Sequence, residues 1–492
     1  MNIKTIRGIS LLFPPVGLVL ILFFSGWKWS RRLGATLFLV LYSLIYSSLI
    51  VLLLLYTTSL EVEWRGGFPP VLTWHKTNPD YAALDRHRKS VSSSRPVAIH
   101  AIRAAQNDWP QFRGPQQNGI SSETINLDWS IRPPKLLWKQ PAGGGYGSFA
   151  LVNDVAFTLE QRHNNEFLVA YDVNTGAELW TNSWPGAFSE SMGGDGPRST
   201  PSFSEGAVYA LGAEGEFRKV NASTGKTVWR TNILVLARAN NLTYGMASSP
   251  LVIGNRVILC PDGGRNNSVI ALDTENGNLE WSSSSNPSAY STPILANIAG
   301  VNQILVVGAS LAFGLDPENG KMLWSFPWVV NLGNRNISQP IVFGGNKVFL
   351  SAGYGTGCVT FTIEKKGDVF HAQETWRNKN LKNKFTSSVF LDGFIYGLDE
   401  DILTCIDAQT GERKWKDGRF GYGQLIANHN HLIILSGEGE LCLVNATPEK
   451  FELISRIPAL SGKTWNYPAI SRGKILVRNS LEMACFDLSF PK

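Results

Sequence analysis

One ten-residue phrase recurs through most of this chain and decides what the chain can fold into. It stands as YDVNTGAELW at 171–180, VNASTGKTVW at 220–229, LDTENGNLEW at 272–281, LDPENGKMLW at 315–324 and IDAQTGERKW at 406–415. Its internal offsets never drift: Asp172, Gly176, Trp180; Asn221, Gly225, Trp229; Asp273, Gly277, Trp281; Asp316, Gly320, Trp324; Asp407, Gly411, Trp415. Each phrase reads as a β-hairpin. An apolar strand runs into Asp or Asn, whose side chain bonds backbone N–H groups two residues on. Glycine supplies the positive φ that closes the loop. The second strand carries an indole large enough to reach a neighbouring sheet.

Upstream of each phrase lies a second pair of apolar runs around a polar turn. It occurs eight times, at 146–159, 198–211, 247–260, 290–308, 337–353, 385–399, 422–435 and 466–478. Two pairs make a four-stranded antiparallel unit, and tandem units of about 45 residues are propeller blades. The hairpin phrase is eroded at 360–376 and at 443–454, and the eighth copy stops after ACFDLSF at 484–490. KLLWKQ at 135–140 carries Trp138 with no such hairpin before it. Because an open sheet edge invites wrong pairing, this orphan strand is expected to complete the last blade and seal the ring. The expected fold is all-β, an eight-bladed propeller over 135–492, preceded by a lead-in at 107–134.

Ahead of it, residues 8–27 and 33–60 are two apolar runs long enough to span a bilayer, so 1–60 is expected to form a transmembrane helical hairpin. Residues 61–106 read as a polar linker without sustained periodicity. Residues 1–60 hold five Lys/Arg and no Asp/Glu, whereas 107–492 hold 33 basic and 35 acidic residues. The propeller is therefore near neutral, and the net charge of +6 gives no case for nucleic acid. The basic KWSRR at 28–32 places that segment in the cytoplasm, whereas Lys4, Arg7, Arg65 and Lys76 pull the other way if both runs span. If only the second spans, the basic residues before it hold the amino end inside, and the propeller is expected on the periplasmic side of the inner membrane.

The chemistry-bearing residues are few. Five cysteines, Cys260, Cys358, Cys405, Cys442 and Cys485, show no CxxC spacing and read as buried thiols, with a disulfide at Cys358 as the other option. His429 and His431 have ligand-like spacing but fall in a turn and lack a third ligand, so no metal is expected. There is no phosphate loop, GxSxG or HExxH. Function on a propeller gathers where the innermost strands begin. The residues at those eight positions are Tyr146, Arg198, Tyr244, Tyr290, Asn336, Lys384, Tyr422 and Trp465. This aromatic and cationic ring suits a flat anionic ligand or an acidic peptide; alternatively it fills the funnel mouth. In MGGDGPRST, Asp195 and Arg198 form a local pair or face a ligand. The basic run with Lys379, Lys382 and Lys384 reads as a solvated loop.

With these phrases in hand, the chain resembles the pyrroloquinoline-quinone-like (PQQ-like) β-propeller repeat family over about 107–492. DWPQFRGPQQNG (108–119) is similar to the lead-in of bacterial members. GGDGPRSTP, GYGTGC (353–358), KNKNLKNKF and GKTWNYP (462–468) are similar to a membrane-linked subgroup. The resemblance implies one of two branches. Quinoprotein dehydrogenases hold PQQ with Ca²⁺ against an adjacent Cys–Cys pair, which this sequence lacks. The other branch, the outer-membrane-assembly lipoprotein, also has eight such blades and acts as a scaffold. The reading is a membrane-anchored, periplasmic, non-catalytic scaffold that binds a protein or polymer partner through its funnel. The alternatives are a PQQ-dependent oxidoreductase of the alcohol or sugar dehydrogenase type and a small-ligand sensor.

Overall fold

A computed structural model describes residues 14–24, 27–58, 60–66, 69–74, 77–91, 102–331, 333 and 335–490. The chain divides into two units, one made of 1–63 and 69–76, the other of 64–68 and 77–492. In the first unit, helix Pro14–Phe24 packs on helix Trp29–Thr57 through Ile21 and Leu39. Among the described residues only Trp29–Thr57, 29 residues, is long and apolar enough to cross a membrane. The expected first span is represented by an 11-residue helix, and the rest of it lies outside the described residues; a spanning hairpin is therefore not what the structure displays.

The second unit is the eight-bladed propeller. Blade 1 consists of Ala150–Val152, Val155–Arg162, Asn165–Asp172 and Glu178–Pro185, numbered from the axis outward. Six further blades repeat this order, from Ser202–Ser204 to Leu453–Pro458. Blade 8 takes its three inner strands from the C-terminal end and its outer strand, Lys135–Pro141, from before blade 1. Trp138 stands opposite Cys485 and Leu136 opposite Phe486.

The recurring phrase works between blades. The Asp172 carboxylate accepts from the Asn174 and Thr175 N–H groups at 2.9 and 2.8 Å and from the Thr175 hydroxyl at 2.9 Å. Asn221 and Asp407 hold their turns through the same backbone bonds. The turn glycine is then covered by the tryptophan of the preceding blade. Gly225 has φ +70, and a Cβ there would fall 2.7 Å from the Trp180 ring. The same indole donates from Nε1 to the Ala222 carbonyl at 2.9 Å. Trp138 covers Gly176, Trp229 covers Gly277, Trp281 covers Gly320 and Trp376 covers Gly411 in the same way. Gly225→Ala is therefore expected to destabilise the propeller by about 1–2 kcal/mol through left-handed backbone strain, with more from displacing the indole. A shift of the urea midpoint checks it.

Where a blade lacks the phrase, the preceding tryptophan finds another partner. Blade 5 has a long hairpin, Gly357–Lys366 with Val369–Asn378, and Trp324 of blade 4 donates to Gln303 Oε1 in its own blade at 2.6 Å. Trp415 bonds the Thr447 carbonyl at 2.8 Å and packs on Phe451. All five cysteines are buried free thiols, and burial pushes each up to about 12. His429 sits in a turn at φ +48.

Around the axis, hydroxyls stitch neighbouring innermost strands together. The Ser148 N–H donates to Thr200 Oγ1 at 2.8 Å, that of Thr200 to Ser249 Oγ at 3.0 Å, and that of Ser249 to Thr292 Oγ1 at 2.9 Å. The lead-in closes the far end. Phe203 of blade 2 donates its N–H to the Pro110 carbonyl at 2.7 Å, and Arg113 donates to the Ser388 carbonyl of blade 6 at 2.6 Å. Blades 2 and 6 are opposite in a ring of eight, so the segment crosses the axis. It then runs alongside blade 7 as the parallel strand Ile120–Ser121.

Part of the expected linker is also built onto this unit. Tyr81–Val91 is a helix with Leu84 buried, and Arg88 forms a two-pronged pair with Glu178 at 2.9 and 3.0 Å. A buried polar cluster lies beneath it. Fully buried Glu160 accepts from Tyr171 Oη at 2.8 Å, Arg162 Nε at 3.1 Å and the Gly143 N–H at 3.1 Å. Arg478 of blade 8, also buried, donates to Thr158 Oγ1 and to the Leu159 and Gly143 carbonyls at 2.7–2.9 Å.

Candidate functional site

At the open end of the axis lies a cavity of about 180 Å³. Its walls carry Tyr146, Tyr244, Tyr290, Tyr354, Phe385 and Trp465, and Phe112 from the lead-in lies against Tyr467 at its floor. The cavity is blind because the lead-in crosses beneath it. Five of the eight residues expected at the funnel mouth line it: Tyr146, Arg198, Tyr244, Tyr290 and Trp465.

The other three do different work. Asn336 is buried away from the cavity, donating to the Gly308 carbonyl at 2.7 Å and accepting from Trp328 Nε1 at 2.8 Å; it clamps a loop. Its neighbours on either side, Arg335 and Ile337, line the cavity instead. Tyr422 faces an adjoining rim depression and packs edge-on against Phe385. Lys384 is buried rather than solvated, with its ammonium 4.4 Å from the Tyr422 ring centre, 4.9 Å from that of Tyr354 and 3.7 Å from Glu400. Burial pulls its pKa down, and Glu400 opposes this. Its loop is anchored at both ends, since Lys382 pairs with buried Asp399 and Leu381 and Asn383 are buried.

Arg198 is tied into the wall. It lies 4.5 Å from the Phe188 ring and 5.7 Å from that of Tyr146, pairs with Glu190 at 3.3 Å and donates to the Gly194 carbonyl at 2.9 Å. Burial lowers its pKa, and the negative charge of Glu190 works against that. Asp195 does not pair with it but accepts from Tyr81 Oη at 2.7 Å. Arg335, by contrast, has no carboxylate partner among the described residues and stands over Tyr244 at 5.3 Å and Tyr354 at 5.7 Å. Lys463 caps Trp465 at 4.6 Å and bonds the Met192 carbonyl at 2.9 Å. Burial pushes Tyr354 up to about 12, so its ring is a neutral face at physiological pH. Cations above aromatic faces of this kind form a binding surface for an anion attached to an apolar group.

Glu190 is the one carboxylate lining the cavity, and it is engaged by Arg198 and by the N–H groups of Met192 and Gly193. No group of three or more His, Cys, Asp or Glu placed to hold a metal occurs among the described residues. The donor set needed by a quinone–Ca²⁺ pair is thus not present in this cavity, and the five separate cysteines offer no vicinal disulfide.

Comparison with known proteins fits this geometry. A family model described as outer membrane protein assembly factor BamB, of the PQQ-like repeat type, matches residues 164–417, a little over half of the chain. The chain belongs to this PQQ-like propeller family. Among its family relatives, the assembly factor BamB of Shewanella oneidensis is 24% identical over 237 residues, covering 48% of this chain and 55% of that protein. The chain spans about half the length of the curated relatives it matches. Solved structures agree in architecture. BamB from Moraxella catarrhalis superposes with TM-score 0.52 at 14% identity, over 72% of this chain and 99% of that one. The quinohemoprotein alcohol dehydrogenase ADHIIG from Pseudomonas putida does so with TM-score 0.57 at 11% identity, over 78% and 81%. At such identities the likeness is one of fold.

Proposed function

We propose that this protein is a membrane-anchored, non-catalytic propeller on the periplasmic side of the inner membrane, and that its funnel face binds a protein partner. The supporting observation is Arg335, a guanidinium held between two tyrosine faces at the mouth of a blind aromatic cavity without a carboxylate of its own. Such a site is completed by an incoming carboxylate carried next to an apolar side chain, which an acidic peptide segment provides. General acid–base chemistry needs a free titratable group in reach of substrate, whereas Glu190 is already committed to Arg198 and backbone. The likeness to outer membrane protein assembly factors supports a role in assembling proteins rather than transforming small molecules.

The test is retention of partners from detergent-solubilised membranes. Arg335→Glu is expected to lower the yield of the cross-linked partner about tenfold or more, because it sets like charges against each other. Lys226→Ala, on an outer turn, is expected to leave it unchanged. Equal loss in both, or in neither, counts against the reading. The redox alternative has its own signature: PQQ with Ca²⁺ at 100 times Kd would stabilise the fold by about 2.7 kcal/mol. A melting shift of several degrees on adding the two together would replace the scaffold reading with that of a quinoprotein.

A further inference from the structure

A second depression lies on the rim of the same face, between blades 6 and 7, and shares Phe385 and Trp465 with the cavity wall. The chain's own Arg65 and Gly66 fill it. Arg65 Nη1 donates to both carboxylate oxygens of Glu438, at 2.7 and 2.9 Å. The Gly66 carbonyl accepts from the buried Lys384 ammonium. Gly66 itself has φ +82 and lies flat on two rings; a Cβ there would meet both Phe385 and Tyr422 at 2.6 Å. The site therefore reads three features of a dipeptide: a guanidinium by Glu438, the following carbonyl by Lys384, and the absence of a side chain by an aromatic platform.

A connecting segment requires none of this selectivity. The ionic part of the hold is weak. The Arg65 and Glu438 side chains are 33% and 53% exposed, and exposed ion pairs contribute little. When the segment leaves, Lys384 keeps Tyr422 Oη at 3.3 Å and Glu400 at 3.7 Å, so no bare charge is left behind.

We propose that this rim is a peptide-binding site for an Arg–Gly step, occupied in cis by Arg65–Gly66 and open to an exposed Arg–Gly segment of a protein partner when that strap is displaced. A short tether gives the cis ligand an effective concentration in the millimolar range. A segment in trans then binds only the open fraction, and its apparent affinity falls by that fraction.

The test uses the full-length chain in detergent micelles and a fluorescein-labelled peptide EVEWRGGF, residues 61–68, read by anisotropy. Arg65→Glu in the protein ejects the strap by repulsion from Glu438, and is expected to tighten peptide binding about tenfold or more relative to wild type. Adding Glu438→Gln is expected to weaken that binding a few-fold, and placing Ala at the first Gly of the peptide to remove it. The Arg65→Glu, Glu438→Arg chain should reject EVEWRGGF, because its own strap is restored and the guanidinium at 438 repels the peptide's arginine; a melting temperature of the Arg65→Glu chain equal to wild type guards against misfolding. Equal binding by the Arg65→Glu and Arg65→Glu, Glu438→Gln chains overturns the proposal. So does tolerance of Ala in the peptide, or a failure of the Arg65→Glu chain to saturate by millimolar peptide.

Discussion

Trp138→Ala is expected to lower the stability of the propeller by about 3 kcal/mol and to open its ring. Trp138 is the indole of the closing strand. It packs against the core shared by blades 8 and 1 and covers Gly176, where a Cβ would fall 2.8 Å from its ring. Its Nε1 donates to the Val173 carbonyl at 2.8 Å. Removing it leaves a void at the one joint where the strands of a single blade come from the two ends of the propeller sequence. Trp138→Phe is expected to cost less, since it keeps a six-membered ring and loses the hydrogen bond, about 1 kcal/mol, with part of the indole packing. Urea unfolding measures both. Limited proteolysis should cut the Ala variant within 135–141 and spare the wild type. If Trp138→Ala costs no more than Trp138→Phe, the indole is not the closing element.

Glu160→Ala is expected to cost about 3–5 kcal/mol, the range for removing one partner from a buried charge network. Glu160 is fully buried among Tyr171, Arg162 and the Gly143 N–H. Burial opposes its charge, but the guanidinium groups of Arg162 and Arg478 outweigh this and hold its pKa below the ordinary value of 4.5. The sign of the pH dependence follows. A carboxyl whose folded pKa is depressed contributes stability above the unfolded value near 4.5 and loses it as pH falls through the folded value. Wild-type protein should therefore weaken with acid below pH 4.5 more steeply than Glu160→Gln, which keeps the shape without the charge. Urea midpoints measured across that range check the difference. Parallel acid limbs would show that Glu160 is not an ionised anchor.

The parts of this molecule that could be read from sequence are those written periodically. The Asp–Gly–Trp phrase was readable because each residue has a local duty: a side-chain bond to N–H groups two and three residues on, a positive φ, and an indole set four residues later. What the indole lands on is a glycine about 45 residues away, in the next copy of the same phrase, so periodicity supplied that partner as well. Arg113 could not be placed, because its contacts at Ser388 and Gln339 lie 275 and 226 residues away in no repeating register. The helix Tyr81–Val91 was read as linker because it buries a single residue, Leu84, too few to mark a stripe. Lys384 was hidden in a basic run that composition assigns to solvent. At the candidate site, five of eight residues followed from counting along the inner strands. A sixth position falls one residue off, on Asn336 instead of the cationic Arg335, because the loop before blade 5 sets its own register. Tyr354 and Phe112 come from outside the inner strands altogether.

The joint between Trp138 and Cys485 also sets an order of events in time. Residues 107–141 leave the ribosome early, yet their partners in blades 6, 7 and 8 are synthesised up to some 350 residues later. The early segment must wait, unpaired, while most of the toroid is made, and contacts of such long range form slowly. Until its partners arrive, that strand is an unpaired edge open to wrong pairing.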